Sequence, residues 1–246
     1  MQRGLIKITG QDSQKFLQGL VTADIRELKG SSYSFLLTAK GKYLFDFFII
    51  KLDEGYVIDC AYTDRHNLQQ LLRKYKLFAK LEIEDISDEY NILYSHRQYA
   101  QWINYKDTRF AKLGYRHLYK KQNDSYLQYM QDKYEYAIVD GYIDMVKEKS
   151  IILEYGANAL GAVSFNKGCY LGQELISRTY HTGTIRKAIY LCGAKMNPGE
   201  DIVENGQKIG IVCSSYEDKS IVLLREDINI DTCKYKKAPW WIDDIK

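Results

Sequence analysis

The segment YLFDFFII, residues 43–50, constrains the fold more than any other stretch of this 246-residue chain. Side chains of an extended strand alternate between its two faces, and here both faces are apolar apart from Asp46. A strand that is apolar on both faces has to be covered on both sides. The segment therefore predicts a sheet buried between two layers, with one carboxylate inside it.

Asp46 needs a partner in such a strand. A buried carboxylate is ion-paired, hydrogen-bonded or shifted to a higher pKa, because leaving it charged and unpaired costs too much free energy. Asp46 is therefore either a structural residue, satisfied by backbone amides or an arginine, or a group that binds a ligand. The residue pattern leaves both interpretations open.

The flanking segments predict an α+β unit. GLIKITG, SYSFLLTA, GYVIDCAY and AKLEIEDIS have the apolar patterns of strands. Helical periodicity is present from Gln11 to about Leu28 and again from Asp64 or Asn67. Two helices covering one antiparallel sheet are the simplest arrangement of these elements.

The C-terminal part predicts short strands. KAIYLCGA, QKIGIVCSS and SIVLLRED are separated by turn residues, including Asn205-Gly206, a strong hairpin signal. We expect residues 1–185 to form two intertwined α+β subdomains and residues 186–246 to form a small β-barrel. The signals are weakest between about Tyr90 and Leu160.

Composition places few demands on partners. The 35 Lys and Arg against 32 Asp and Glu give a net charge of +3, spread along the chain, which does not favour direct nucleic-acid binding. The N-terminus lacks the apolar core of a signal peptide, and no apolar run is long enough to span a bilayer. Five cysteines without a metal-binding spacing indicate a reduced compartment and no metal site. We therefore expect a cytoplasmic protein without a membrane partner.

Cys169 stands out within SFNKGCYLGQELISRTYHTG, residues 164–183. If a helix begins near Gly172, Cys169 lies just before its first turn. The free amide groups there, together with Lys167, would make the thiol more acidic than a free cysteine. Gly168 leaves the backbone free to approach a ligand. A buried structural cysteine at a helix entry fits the local pattern equally well.

The residues of this segment resemble a known family. KGCYLGQE, followed by SR, HTG and an arginine (Lys167 to Glu174, Ser177-Arg178, His181 to Gly183, Arg186), is similar to the signature of the YgfZ family of folate-binding proteins. That family is related to the glycine-cleavage aminomethyltransferase. The resemblance extends to GQDSQKFLQGLVTADI, LLTAKGKYLFDFFI and the C-terminal strands, and is weak between Tyr90 and Ile151.

The resemblance implies a fold and a function. The fold is the aminomethyltransferase-like folate-binding fold, with ferredoxin-like subdomains around a central channel that holds tetrahydrofolate or another reduced folate. The function is that of an accessory protein in iron-sulfur cluster assembly or repair, which supports iron-sulfur enzymes including tRNA-modifying ones. The implied partners are iron-sulfur assembly proteins or client enzymes, and we expect a monomer.

The resemblance also implies roles for single residues. Cys169 would be the functional thiol, with Lys167 and Gly168 shaping its loop. Asp46 would contact the folate. Three signature residues, Gln173, Glu174 and Arg178, would be folate-binding candidates, although helix capping and ion pairing explain them equally well.

Two other functions fit the sequence less well. A folate-dependent aminomethyltransferase or other one-carbon transferase is usually about a hundred residues longer and does not carry this thiol motif. A direct tRNA-binding protein is disfavoured by the modest net charge, although a steep salt dependence of tRNA affinity would support it. One cysteine cannot complete a four-thiolate cluster site, so any cluster at Cys169 would be shared with a partner or a small thiol.

Overall fold

A computed structural model describes residues 3–120, 127–183 and 185–241. The N-terminal part is a five-stranded antiparallel sheet with two helices on one face. Its strands are β1 (Arg3–Thr9), β2 (Ser31–Leu37), β3 (Tyr43–Leu52), β4 (Gly55–Ala61) and β5 (Glu82–Asp85), and its helices are α1 (Ser13–Gln18) and α2 (Arg65–Lys76). The strand order is β2-β3-β4-β1-β5, so the apolar strand β3 has a partner on each side.

Strand β3 is covered on both faces, as its pattern predicts. Phe47 and Ile49 pack in one core cluster with Leu68 of α2. Phe48 and Ile50 belong to a second cluster, formed with residues from the middle and C-terminal parts of the chain. The N-terminal sheet is therefore the middle layer of the molecule, and Asp46 faces the second cluster together with Phe48.

A change of register between β2 and β3 moves Tyr43 to the other face of the sheet. Leu36 pairs with Phe45, whereas Leu37 pairs with Tyr43, two residues earlier in β3. Tyr43 therefore packs in the second cluster, although simple alternation places it on the same face as Phe45. This irregularity directs the Tyr43 hydroxyl towards Asp46.

Helix α1 is shorter than predicted. It ends at Gln18, and the prediction of a helix to about Leu28 is wrong. After Gly19 the chain follows the sheet instead, since Val21 forms a bridge with Leu36 and the Thr22 amide donates to the carbonyl oxygen of Phe35. Pairing with β2 outweighs the helical periodicity of this segment. Helix α2 begins at Arg65, between the two predicted start points.

The middle part contains a second sheet and short helices. The strands are β6 (Tyr90–Ser95), β7 (Ile103–Lys106) and β8 (Tyr115–Lys120), in the order β6-β8-β7, and the helices are α3 (Leu127–Glu135), α4 (Gly141–Asp144) and α5 (Gln173–Thr182). Two 3₁₀ turns, Tyr62–Asp64 and Ile152–Tyr155, complete the helical elements of the described residues.

The C-terminal part is a five-stranded antiparallel sheet. Its strands are β9 (Lys187–Cys192), β10 (Asp201–Glu204), β11 (Gln207–Tyr216), β12 (Lys219–Arg225) and β13 (Tyr235–Lys237), in the order β10-β11-β12-β9-β13. The predicted Asn205-Gly206 turn joins β10 to β11, and both residues have positive φ, as a type I′ turn requires. In the described residues this sheet has two edges, β10 and β13, rather than the closed ring of a barrel.

The parts of the chain share one core. Ile189, Ile221 and Leu223 of the C-terminal sheet pack in the same cluster as Phe48 of the N-terminal sheet. The predicted boundary at residues 185 and 186 falls after α5 and before β9. Among the helices described, none has the length and apolar character needed to cross a membrane.

Candidate functional site

Cys169 is exposed in the loop that precedes α5, and its thiol is free. The buried side chain of Lys167 anchors this loop to another part of the chain. Its ammonium group donates hydrogen bonds of 2.8 Å to the carbonyl oxygens of Val21 and Ala23, in the segment that follows α1. The side chain is only 8% exposed. A buried lysine thus holds the loop in place, while the thiol two residues later is exposed to solvent.

The environment of Lys167 changes its protonation. Burial lowers the pKa of Lys167 to about 8, although the nearby carboxylate of Asp24 acts in the opposite direction. Its hydrogen-bond acceptors are neutral carbonyl oxygens, which replace only part of the hydration of a charged amine. Lys167 therefore exchanges its proton much closer to neutral pH than an ordinary lysine does.

Helix α5 begins where the sequence predicts, with Gly172 as its N-cap. Gly172 has a φ of 80°, and a Cβ atom there would lie 2.4 Å from the carbonyl oxygen of Thr38. Gly41 lies with Thr38 in the turn between β2 and β3 and has a φ of 74°, and a Cβ atom there would lie 2.7 Å from the Gly172 carbonyl oxygen. These glycines allow the start of α5 to pack against the β2–β3 turn, which fixes the end of the Cys169 loop.

The other signature residues have structural contacts or face solvent. The Gln173 side chain accepts a 3.2 Å hydrogen bond from the amide of Tyr170, which closes the loop around Cys169. Glu174 and Arg178 are exposed, and within the described residues no ion pair joins them. Gln173 thus has a capping role, and folate binding by these three residues stays a prediction.

Asp46 is enclosed by tyrosines. The hydroxyls of Tyr33 and Tyr43 each donate a 2.8 Å hydrogen bond, one to each carboxylate oxygen. Asp46 is 4% exposed. Burial raises the pKa of Asp46, and the negative charge of Asp140 adds to this effect, although the two tyrosine hydroxyls lower it. Asp46 is a buried carboxylate satisfied by neutral donors, a third kind of partner besides the amides and arginines that the sequence suggested.

The surroundings of Asp46 do not fit a pterin ring. Both carboxylate oxygens already accept hydrogen bonds, and a Cβ atom added at Gly141 would lie 2.6 Å from Asp46 Oδ1 and from the Tyr43 ring. Asp46 does not line any of five prominent surface clefts of the described residues, which have volumes of 410–860 Å³. In this arrangement Asp46 is enclosed, and a folate could reach it only if the surrounding side chains moved. No hydrogen bond or ion pair among the described residues joins it to Cys169.

A buried ion-pair network lies beside Asp46. Arg109 donates two hydrogen bonds, of 2.7 and 2.9 Å, to the carboxylate of Asp107 and one of 2.7 Å to Asp140. Arg116 links Asp107 to Asp59 at 3.2 Å each. The eight charged members are Arg3, Asp59, Asp107, Arg109, Arg116, Lys133, Asp140 and Asp144. The Arg109 guanidinium also lies 4.8 Å from the Tyr33 ring centre, so the network reaches the Asp46 site.

The network sets the charge state of its carboxylates. Burial alone would raise the pKa of Asp140, but Lys133 and Arg109 hold it well below its ordinary value. The pKa of Asp107 is lowered in the same way, with burial opposed by Arg109 and then Arg116. These aspartates therefore stay ionised. Asp46 differs from them in that its hydrogen-bond partners are uncharged hydroxyls.

The sequence carried a usable signal for one member of this network. Asp59 lies in the apolar strand GYVIDCA, just as Asp46 lies in YLFDFFII. The same argument for a partnered carboxylate applies to both. Arg109 and Asp140 lie where helix and strand patterns are weakest, so their burial could not be recognised. Within the described part of the chain, no group of three or more His, Cys, Asp or Glu is arranged to hold a metal ion.

The fold defines a class of protein. Glycine cleavage system aminomethyltransferase T from Bartonella henselae has a similar structure, with a TM-score of 0.70, 12% sequence identity, and coverage of 91% of this chain and 76% of that one. The chain therefore has the aminomethyltransferase T-like fold, as predicted. No family model matches the sequence.

Sequence comparison then relates the chain to the IBA57 iron-sulfur cluster assembly factors. The homolog from Pyricularia oryzae is 33% identical over 214 residues, which are 77% of this chain and 55% of that protein. The homolog from Dictyostelium discoideum is 30% identical and the human protein 26% identical, with coverage of 76% and 85% of this chain and 60% and 71% of theirs. The chain spans little more than half the length of the Pyricularia relative.

The comparison corrects one prediction. The fungal and human relatives are named as mitochondrial proteins. The expected cytoplasmic location is therefore wrong, and these names point to mitochondria instead. The sequence argument rested on the composition of the first residues given, which does not distinguish the cytoplasm from mitochondria.

Proposed function

We propose that this chain is an iron-sulfur cluster assembly factor that acts through Cys169. Its similarity to proteins named iron-sulfur cluster assembly factor IBA57 supports this function. The observation that carries the proposal is the contrast between the exposed Cys169 and the buried Lys167 beneath it. That arrangement presents one thiol on a loop whose backbone is already fixed.

The chemistry follows from having a single thiol at this site. The Cys169 sulfur, as thiolate, supplies one ligand to an iron atom of a cluster that is cargo rather than a resident group. The remaining ligands come from a partner protein or a small thiol. Because one bond is easily exchanged, such a site suits transfer or repair of a cluster better than permanent storage. We further propose that the clients include tRNA-modifying iron-sulfur enzymes.

Two cysteine variants test the proposal. Cys169→Ser removes the thiol and keeps its shape, so we expect the variant to fold and to lose the ability to support iron-sulfur enzymes in cells that lack this protein. Cys233→Ser is the matched control, because Cys233 is the other exposed cysteine of the described residues. The measurement is the activity of an iron-sulfur tRNA-modifying enzyme alongside one unrelated iron-sulfur enzyme. Full activity of these iron-sulfur enzymes in cells that carry Cys169→Ser would contradict the proposal.

Reduced folate is a separate part of the proposal. The aminomethyltransferase-like fold supports its binding, whereas the enclosure of Asp46 opposes a contact with that carboxylate. We therefore propose that any tetrahydrofolate bound by this chain contacts residues other than Asp46. A titration with tetrahydrofolate should give the same affinity for the wild type and for Asp46→Asn. A clear loss of affinity in the variant would mean that the Tyr33 and Tyr43 hydrogen bonds open to admit the ligand.

A further inference from the structure

The turn after α2 carries large apolar side chains that the fold leaves in solvent. Leu77 is 80% exposed and Phe78 is 98% exposed, and Tyr75 nearby is 36% exposed. Single exposed apolar residues are common on protein surfaces, but adjacent ones on a projecting turn form a contiguous patch. We call residues 75–78 the apolar tip.

The backbone of the apolar tip favours a different residue. Leu77 ends α2 with a φ of 46° and a ψ of −114°. Glycine is the usual residue at a helix end with positive φ, because a side chain is strained there. Because the Leu77 side chain is 80% exposed, burial of its apolar surface does not offset this strain. Neither backbone preference nor packing within the chain therefore accounts for the Leu77-Phe78 pair.

The apolar tip is held in a defined place. Just after it, the Lys80 amide donates a 2.7 Å hydrogen bond to the Asp12 carboxylate, and the Asp12 amide donates back to the Lys80 carbonyl oxygen. Ala79 packs against the core cluster beneath α1 and α2. The two apolar side chains therefore project from a fixed base.

Lysines surround the apolar tip. Lys74 and Lys80 are exposed on either side of it, and Lys76 is half-buried within it. Two carboxylates, Glu82 and Glu84, follow on β5 and are also exposed. The charged side chains next to Leu77 and Phe78 in the sequence are thus cationic, and the nearest acidic groups are Asp12, which is bonded to the Lys80 amide, and Glu82, which shares a cleft with Lys76 and Lys80.

The composition of this surface favours lipid over protein. A stable protein interface takes about 800 Å² from each partner and is depleted in lysine. The apolar tip offers two large exposed side chains among lysines. An anionic bilayer accepts small apolar insertions at any point and attracts lysines, which keep their charge at the headgroups. We infer that the apolar tip inserts into the anionic surface of a lipid bilayer as a peripheral contact.

Vesicle binding by the full chain tests this inference. We expect sedimentation with vesicles of equal parts phosphatidylcholine and phosphatidylglycerol, weakened by added salt, and none with phosphatidylcholine alone. Phe78→Asp should weaken binding about tenfold or more, because it removes one buried aromatic ring. Val203→Asp makes the same kind of change at a 57% exposed apolar position on β10 and should bind as the wild type does.

A second variant and a second readout complete the test. Lys74→Glu combined with Lys80→Glu leaves Leu77 and Phe78 in place and should weaken binding while reducing its salt dependence.

The inference is overturned if the wild type does not bind anionic vesicles or if Phe78→Asp binds them as tightly as the wild type. Loss of iron-sulfur enzyme activity with Phe78→Asp, without vesicle binding by the wild type, would assign the apolar tip to a protein partner instead. Cys169→Ser should bind vesicles normally, which separates this result from the cluster proposal.

Discussion

Lys167 keeps a charged amine in a place with little water. Its pKa falls from 10.5 to about 8 in the folded chain because burial disfavours the charged form. The unfolded chain therefore binds one more proton than the folded chain between about pH 8 and pH 10.5. A state that binds more protons is favoured at lower pH, so this group lowers stability below pH 8 and stops doing so as the pH rises to 10.5.

We expect this titration to appear as a rise in stability at alkaline pH. The free energy of unfolding of the wild type, minus that of Lys167→Met, should increase between pH 8 and pH 10.5, since methionine has a similar length and no charge. Urea unfolding at steps of pH gives both values, and the subtraction removes the contribution of other titrating groups. A difference that stays constant over this range would show that Lys167 is as well hydrated as a surface lysine.

The buried carboxylates could be predicted from the sequence, but their partners could not. Asp46 and Asp59 could be recognised as carboxylates that need partners, because each interrupts an apolar strand. Their partners could not be named. Asp59 is bonded by Tyr105 and Arg116, which are 46 and 57 residues away in the chain. The local sequence pattern shows that a buried carboxylate needs a partner, but the identity of that partner depends on the tertiary fold.

At the scale of elements, the start of α5 depends on close contact between backbones. Gly172→Ala should destabilise the protein by about 1–3 kcal/mol, because alanine is strained at positive φ and its Cβ atom would lie 2.4 Å from the Thr38 carbonyl oxygen. Gly168→Ala is the control in the same loop, since a Cβ atom there meets nothing within 4 Å. Its effect should stay within about 0.5 kcal/mol. Urea unfolding measures both, and equal stabilities of the two variants would contradict this account.

Elements defined by local pattern were predicted well. Strand β3, helix α2, the start of α5 and the Asn205-Gly206 turn all follow from periodicity or turn residues. Helix α1 was overestimated because pairing of Val21 with Leu36 competes with helix formation. Residues 90–160 gave weak signals for a related reason. Their core includes buried charges such as Arg109, and such residues break the apolar periodicity by which elements are recognised.

At the scale of the whole molecule, the buried ion-pair network joins the parts of the chain. Arg3 and Asp59 come from the N-terminal sheet, whereas Arg109 and Arg116 come from the middle part. Asp144 accepts a hydrogen bond from Ser214 of the C-terminal sheet. The eight charges balance, four basic against four acidic, so the network carries no net charge into the core. We expect the parts to unfold together, because separating them would expose these charges singly.

The strongest test of this coupling removes Arg109. Arg109→Met keeps an apolar side chain of similar length and leaves Asp107 and Asp140 without their main donor. Breaking one side of a buried pair typically costs about 3–5 kcal/mol, which we expect as the loss of unfolding free energy at pH 7. Arg225→Met is the control, because Arg225 pairs with the exposed Asp227 and should change little.

The pH dependence of the same variant distinguishes lost charge pairing from lost packing. In the wild type the pKa of Asp140 lies well below 3.8, where burial is outweighed by Lys133 and Arg109, so its stabilising effect is complete above pH 3.8 and is lost as the pH falls further. Without Arg109 that effect is largely absent. The difference in unfolding free energy between wild type and Arg109→Met should therefore shrink as the pH drops below 3.8. A packing defect would leave the difference unchanged across this range, and urea unfolding of both proteins at each pH decides between them.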